Sequence, residues 1–324
     1  MIRMASEHSA DVPGVVGSPR LEWAELPSHV RDAVNGLLGS AVVRAANQSG
    51  GFSPGLAARV RCADGSRAFV KAVGAEINPD SPDLYRAEAR VAAALPAEID
   101  APALRGMFDD GEWIALVFDE IDGRMPAAPW HPDELRRVIH AVAGLSRALT
   151  PCPVAAVPPA SQALRSNLLA FTRLATDPPG DLGGWALRHL DRLAELAATT
   201  LDHVDGDTLV HCDLRGDNML LAPDGRVWFV DWPWAFRGAA WIDTAVLLVN
   251  VALHGHDPEP YLDGNPLFVD ADPLHVTGLL AGLAGMFAEA SRRPDPPGLP
   301  TVRAFQRAQE DVTLAWVRRR TGWT

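Results

Sequence analysis

Lysine is nearly missing from this chain: Lys71 is the single one among 29 basic residues, and all the others are arginine. Two readings follow. Either a coding bias removed lysine and one survived by chance, or position 71 needs a compact ammonium where a planar guanidinium fork would not serve. Cysteine is also sparse. Cys62, Cys152 and Cys212 are scattered with no C-x-x-C pair, which argues against disulfides or a zinc site and fits a reducing cytoplasm. A long apolar run is lacking, since the greasiest stretch, Val276 to Phe287, is too short and too rich in glycine to span a bilayer. No membrane association is expected. The N-terminus has no basic region followed by an apolar core and cleavage site, so no secretion signal is expected, and residues 1–20 read as a flexible leader. Positive charge is in deficit as well. A formal net charge of -12 disfavours nucleic acid, whose phosphates demand a basic face; it suits a cationic substrate or simply keeps the chain soluble.

What is present divides the 324 residues into two halves of different character. Up to residue 118 short apolar runs alternate with tight turns. Val42 to Ala46, Leu56 to Cys62 and Arg67 to Val73 read as three antiparallel strands, separated by a glycine-rich turn around Gly50-Gly51-Phe52-Ser53 and by Asp64-Gly65. One helix follows, opened by Asp80-Ser-Pro-Asp83, running from Leu84 to Leu95 and ended by Pro96. Leu104 to Phe108 and Trp113 to Phe118 complete the strands. After Asp122-Gly123 helical periodicity dominates, over about 132–149, 161–176, 184–200, 239–254, 273–291 and 300–320. Within that half one short hairpin, Asn218 to Leu221 with Arg226 to Val230, turns at Pro223-Asp224-Gly225. A small β-rich lobe joined to a larger helical one leaves a cleft between them, a usual place for a ligand.

The strongest local signal is His211-Cys-Asp213-Leu-Arg215-Gly-Asp217-Asn218, then the hairpin, then Phe229-Val-Asp231-Trp-Pro. It brings two carboxylates and an amide to the hairpin's open end. Hard oxygen donors of this kind suit Mg²⁺, which takes one or two protein carboxylates and fills its shell with water and phosphate oxygens. The remaining carboxylate is free to orient a substrate hydroxyl.

This H-x-D-x-x-x-x-N pattern and its following aspartate, joined to Lys71 on a third strand and Glu88 on the next helix, resemble the aminoglycoside phosphotransferase family, distant relatives of protein kinases. The resemblance covers nearly all of the chain after residue 40. It implies an α+β, protein-kinase-like two-lobed fold: a nucleotide-binding lobe over 21–118, a hinge over 119–123 and a helical lobe over 124–324 carrying the catalytic loop and acceptor site. It implies ATP and Mg²⁺ as cofactors. Lys71 would meet the α- and β-phosphates with Glu88 holding its ammonium, Asp213 would orient the attacking hydroxyl, and Asn218 and Asp231 would hold the metal. Glu76 and Glu98 are acidic rivals of Glu88, but only Glu88 lies within the helical pattern. Arg215 stands where a cation could reach the γ-phosphate, or is a surface loop arginine. Gly50, Gly51 and Ser53 would cover the phosphates, although the turn departs from the strict G-x-G-x-x-G kinase pattern. Phe118 would line the adenine pocket, with the Asp119 carbonyl and the Ile121 N–H bonding the base; the Asp119 and Glu120 side chains read as solvated. His211 and Asp243 would brace the catalytic loop, and Cys212 reads as packing.

Between Asp231 and Asp243 there is no room for a peptide-docking platform, which favours a small-molecule hydroxyl acceptor. Asp257, Glu259 and Asp263 form an acidic stretch that would bind ammonium groups of such an acceptor, or is merely solvated. Arg318-Arg-Arg320 reads as an exposed helix end. Three functions remain: phosphorylation of an aminoglycoside or related antibiotic, phosphorylation of a sugar, amino sugar or amino alcohol metabolite, and nucleotide binding without catalysis. Oligomeric state leaves no trace in the sequence.

Overall fold

A computed structural model of the chain describes residues 20–48 and 50–324; the expected leader lies, apart from Arg20, outside the described residues. The N-terminal lobe is built on five antiparallel strands, β1 (Val42–Asn47), β2 (Leu56–Cys62), β3 (Arg67–Gly74), β4 (Leu104–Asp109) and β5 (Trp113–Phe118), in the order β1-β2-β3-β5-β4. Successive side chains of a strand point to opposite faces. Ala68, Val70 and Ala72 of β3 therefore join a cluster with Val30 and Val34, while Val73 joins one with Tyr85 and Ala89. Lys71 is on the second face. Both faces of β5 are covered, and all six of its residues are buried.

The first face is covered by α1 (Ser28–Leu38), which the sequence reading missed in counting a single helix in this lobe. Its signals were modest: Val30 and Val34 at helical spacing, and Gly39 as a left-handed C-terminal cap at φ 71°. The second face is covered by α2 (Ser81–Ala92), with Pro82 in its first turn. This helix begins and ends a few residues earlier than expected because Asn78 Oδ1 accepts the Asp80 and Ser81 N–H groups at 3.1 and 3.0 Å, starting the first turn there.

The C-terminal lobe holds α3 (Pro132–Ala148), α4 (Leu190–Thr199), α5 (Ile242–Leu253), α6 (Pro273–Ala290) and α7 (Val302–Thr321). The continuous helix expected over 161–176 is three short pieces, Ala160–Ala163, Arg165–Leu168 and Ala170–Leu174, and a turn Gly184–Arg188 precedes α4. At the breaks Leu164, Leu169 and His189 have ψ of -3°, 9° and 16°, which interrupts the helix while Leu164, Leu168 and Phe171 stay buried. The apolar stretch 276–287 lies within α6, a central core helix buried on nearly all sides. Among the described residues no helix is long and apolar enough to cross a membrane. Two strands escaped the sequence reading, β6 (Thr208–Val210) and β9 (Phe236–Gly238); they pair and flank the expected hairpin β7 (Met219–Leu221) and β8 (Val227–Phe229).

A second link joins the lobes besides the hinge. Asn78 Nδ2 donates to the Pro297 carbonyl at 3.1 Å, and Gly298 lies so close to Pro54 that a Cβ there would come within 2.6 Å of it. The rings of Phe52 and Phe305 pack with centroids 4.9 Å apart. The segment before α7 thus clasps the glycine-rich turn.

Candidate active site

The site is assembled where β3 and α2 of one lobe face the β6–β9 segment of the other. Lys71 Nζ donates to Glu88 Oε2 at 2.5 Å and to Asp231 Oδ1 at 2.8 Å. Glu88 is 3 % exposed and is the acid that meets the lysine; neither Glu76 nor Glu98 does. Burial alone would push the ammonium's pKa down, but Asp231 and Glu88 outweigh it and hold Lys71 above the ordinary lysine range. Asp231 is held below the usual carboxylate range by Lys71 despite its desolvation. Tyr85, one helical turn before Glu88, completes this corner. Its ring centroid is 4.9 Å from Lys71 Nζ and its hydroxyl is 2.8 Å from Ser53 Oγ. The sequence reading missed it, although its i, i+3 relation to Glu88 was the available signal.

The catalytic-loop residues converge by short-range bonding. Asp213 Oδ1 accepts from Arg215 Nη1 at 2.5 Å, and its Oδ2 accepts from Asn218 Nδ2 at 2.9 Å. Burial pushes the Asp213 carboxyl up to about 7; Arg215 opposes this, and Asp217 and Asp231 add to it. A carboxylate poised near neutral pH is suited to accept a proton from a hydroxyl. Arg215 is no loose surface arginine: Nε and Nη2 both donate to Asp217 at 3.0 Å, and its guanidinium lies 5.6 and 5.7 Å from the Phe52 and Phe305 ring centroids.

His211 is fully buried and braces the loop. Nε2 donates to the Val230 carbonyl at 3.0 Å and Nδ1 accepts the Asp213 N–H at 3.3 Å, a neutral tautomer consistent with a pKa driven down to about 4 by burial. Asp243, in the first turn of α5, accepts the N–H groups of His211 and Cys212 at 2.9 and 2.8 Å. Cys212 and Asp231 are the only non-glycine residues with positive φ among the described residues, at 65° and 69°. Cys212 is therefore more than packing, and strain of this kind persists only where neighbours enforce it.

A cavity of about 410 Å³ runs from this corner under the glycine-rich turn to the hinge, bordered by Lys71, Glu88, Asn218 and Asp231 at one end and Phe118, Asp119 and Ile121 at the other. Gly50 and Gly51 stand at φ 97° and 73°, values an L side chain rarely adopts, and together with Ser53 they roof the cavity. One hinge side chain, Glu120, is not solvated as expected, whereas Asp119 is, with its side chain 45 % exposed. Glu120 accepts from Arg67 at 2.9 and 2.6 Å and its side chain is 7 % exposed, and Asp119 accepts from Arg105 at 2.6 Å. Arg20 also lines the cavity, and nothing in the sequence pointed to it.

The expected acceptor carboxylates lie elsewhere. Asp257 pairs with Arg319 at 3.1 Å, Glu259 accepts from Arg320 at 2.5 Å and from Trp316 Nε1 at 2.7 Å, and Asp263 is exposed; none lines the cavity. Arg318 and Arg319 are exposed as expected of a helix end, whereas Arg320 is an anchor with its side chain 10 % exposed.

Among curated proteins no relative matches. Solved structures do, at identities that establish fold alone. An aminoglycoside phosphotransferase from Alicyclobacillus acidocaldarius is 15% identical, with a TM-score of 0.53 over 92% of this chain and 97% of that one. A thermostable mutant of aminoglycoside phosphotransferase APH(4)-Ia, in ternary complex with ADP and hygromycin B, is 14% identical, with a TM-score of 0.60 over 92% of this chain and 100% of that one. Choline kinase LicA from Streptococcus pneumoniae is 14% identical, with a TM-score of 0.54 over 88% and 98%. The model of the phosphotransferase enzyme family matches residues 53–265, from the glycine-rich turn to the far side of α5. The chain belongs to that family of phosphotransferase enzymes and has a protein-kinase-like fold.

Proposed function

We propose that the protein transfers the γ-phosphoryl group of ATP to a hydroxyl of an aminoglycoside or related antibiotic in the cytoplasm. The observation that carries this reading is the sole lysine, fixed between Glu88 and Asp231 at one end of a cavity whose other end is the hinge. Adenine fits against Phe118 with the Asp119 and Ile121 backbone, and the phosphates run beneath Gly50 and Gly51 toward Lys71. The acceptor oxygen attacks phosphorus as its proton passes to Asp213, and ADP leaves. Arg215 keeps Asp213 in place and adds positive charge beside the group in flight. Positioning and charge neutralisation supply the catalysis, since phosphoryl transfer needs little covalent help.

The donor set fits magnesium. Asn218 directs Nδ2 to the Asp213 carbonyl and carboxylate, and among the described residues its Oδ1 and the Asp231 Oδ2 meet no protein donor. Mg²⁺ held by these two residues would neutralise phosphate oxygens.

The likeness to a choline kinase supports an amino alcohol or amino sugar metabolite as the second reading. A panel assay separates the two. The purified protein is given Mg·ATP and acceptors from aminoglycosides through amino sugars to choline, and products are read by the mass gain of one phosphoryl group. Transfer to an aminoglycoside is expected. Transfer to glucosamine or choline alone would replace the antibiotic reading with the metabolic one, and tight ATP binding without transfer to any acceptor would leave a binding module.

A further inference from the structure

The cations around the cavity are matched to acids, with one exception. Lys71 is held by Glu88 and Asp231, Arg215 by Asp213 and Asp217, Arg59 lies 3.5 Å from Glu120, and Arg124 pairs with Glu134. Arg20, just ahead of α1, has no carboxylate partner among the described residues. Its Nη2 donates to the Gly50 carbonyl and its Nη1 reaches the Ser53 carbonyl at 3.4 Å, both in the glycine-rich turn. Its Nε is buried with no partner among the described residues. A guanidinium carries five donors in a rigid fork, and a largely buried one normally has an anion against it. Burial pulls Arg20 below the ordinary arginine range, while Tyr85, Asp231 and Asp217 pull it back, so it stands in the field of the same corner that holds Lys71. A Cβ on Gly51 would come within 3.3 Å of Arg20 Nη2, which places the fork directly against the turn.

We propose that Arg20 is a ligand for the nucleotide's phosphates, an anion site contributed by the segment before the first helix and completed only when a polyphosphate lies under the turn. The inference rests on the ATP reading above. Guanidinium–phosphate pairs are charge-assisted and often bidentate, and their strength rises with the negative charge of the ligand. Arg20 then discriminates ATP from adenosine, and the two carbonyl bonds orient its fork before the ligand arrives.

The test is calorimetric titration of the full chain with ATP, ADP and adenosine in the presence of magnesium, for the native protein, Arg20→Gln and Arg20→Lys. Arg20→Gln is expected to weaken ATP by about tenfold or more, ADP by less and adenosine not at all, the scale of one charged hydrogen bond. Arg20→Lys keeps the charge and is expected to retain most of the ATP affinity. Native-like ATP affinity in Arg20→Gln, or an equal loss for ATP and adenosine, would overturn the proposal and leave Arg20 a brace of the turn. A native protein that binds none of the three ligands would overturn the nucleotide reading itself, and this inference with it.

Discussion

Asp243 Oδ1 accepts the N–H of Cys212 at 2.8 Å, and Cys212 stands at φ 65°. A carboxylate from α5 thus pins the backbone of the catalytic loop at its most strained residue. Removing it leaves the His211 and Cys212 N–H groups buried without acceptors, at roughly 1–3 kcal/mol each. Asp243→Ala is expected to lower the unfolding free energy by about 2–4 kcal/mol in urea titrations, and turnover with it. Asp243→Asn, which keeps one acceptor oxygen, should lose less. Equal stability of native protein and Asp243→Ala would remove the pin from this account.

Lys71→Arg preserves charge and is nonetheless expected to fail. The lysine is 8 % exposed and is clamped by Glu88 and Asp231, so a longer planar fork has to displace one of them. The KM for ATP should rise by about tenfold or more, since a single misplaced charged contact is worth that much. Near-native ATP kinetics would return the lone lysine to coincidence.

Asp213→Ala is expected to reduce kcat by about 10²–10⁴, the usual contribution of a positioned proton acceptor. Nucleotide affinity should change little, because Asp213 bonds to Arg215 and Asn218 and does not border the cavity that reaches the hinge. Steady-state kinetics paired with ATP titration separates the two effects. An unchanged kcat would rule Asp213 out as the base.

His211 makes stability depend on pH with a definite sign. Its folded pKa is about 4 against an ordinary 6.5, so between those values the unfolded chain takes up a proton that the fold refuses. This contribution is complete above pH 6.5 and is lost as pH falls toward 4, worth roughly 3 kcal/mol over the window. Urea unfolding followed from pH 7 to pH 4 should show the native protein losing stability relative to His211→Asn. A difference that stays constant with pH would contradict the buried neutral imidazole.

The convergence of the candidate site was legible because its geometry is local: Asp213, Asn218 and Asp231 are brought together by one loop and one hairpin. Lys71 and Glu88 were legible for a related reason, since strand alternation and helix phase decide which way each side chain points. What was illegible depends on partners distant in sequence. Val30 and Val34 form a recognisable stripe only once β5 is known to need a cover on both faces. β6 and β9, three residues each, are too short to show alternation and exist because they pair with each other. Glu259 looked unpaired in the sequence because its partners, Arg320 and Trp316, stand some sixty positions away. Arg20 had no periodic neighbour to announce it.

The clasp around Pro297 and Phe305 has a consequence for rhythm more than for chemistry. A kinase-like molecule joined by a hinge alone can swing its lobes apart freely, whereas one fastened a second time must first release Phe52 from Phe305 and Pro54 from Gly298. Arg215 is seated against that same aromatic pair, so each release also disturbs Asp213, which it holds. Opening and the closed posture are then alternatives, and a cycle limited by that opening would show itself as a turnover sensitive to solvent viscosity.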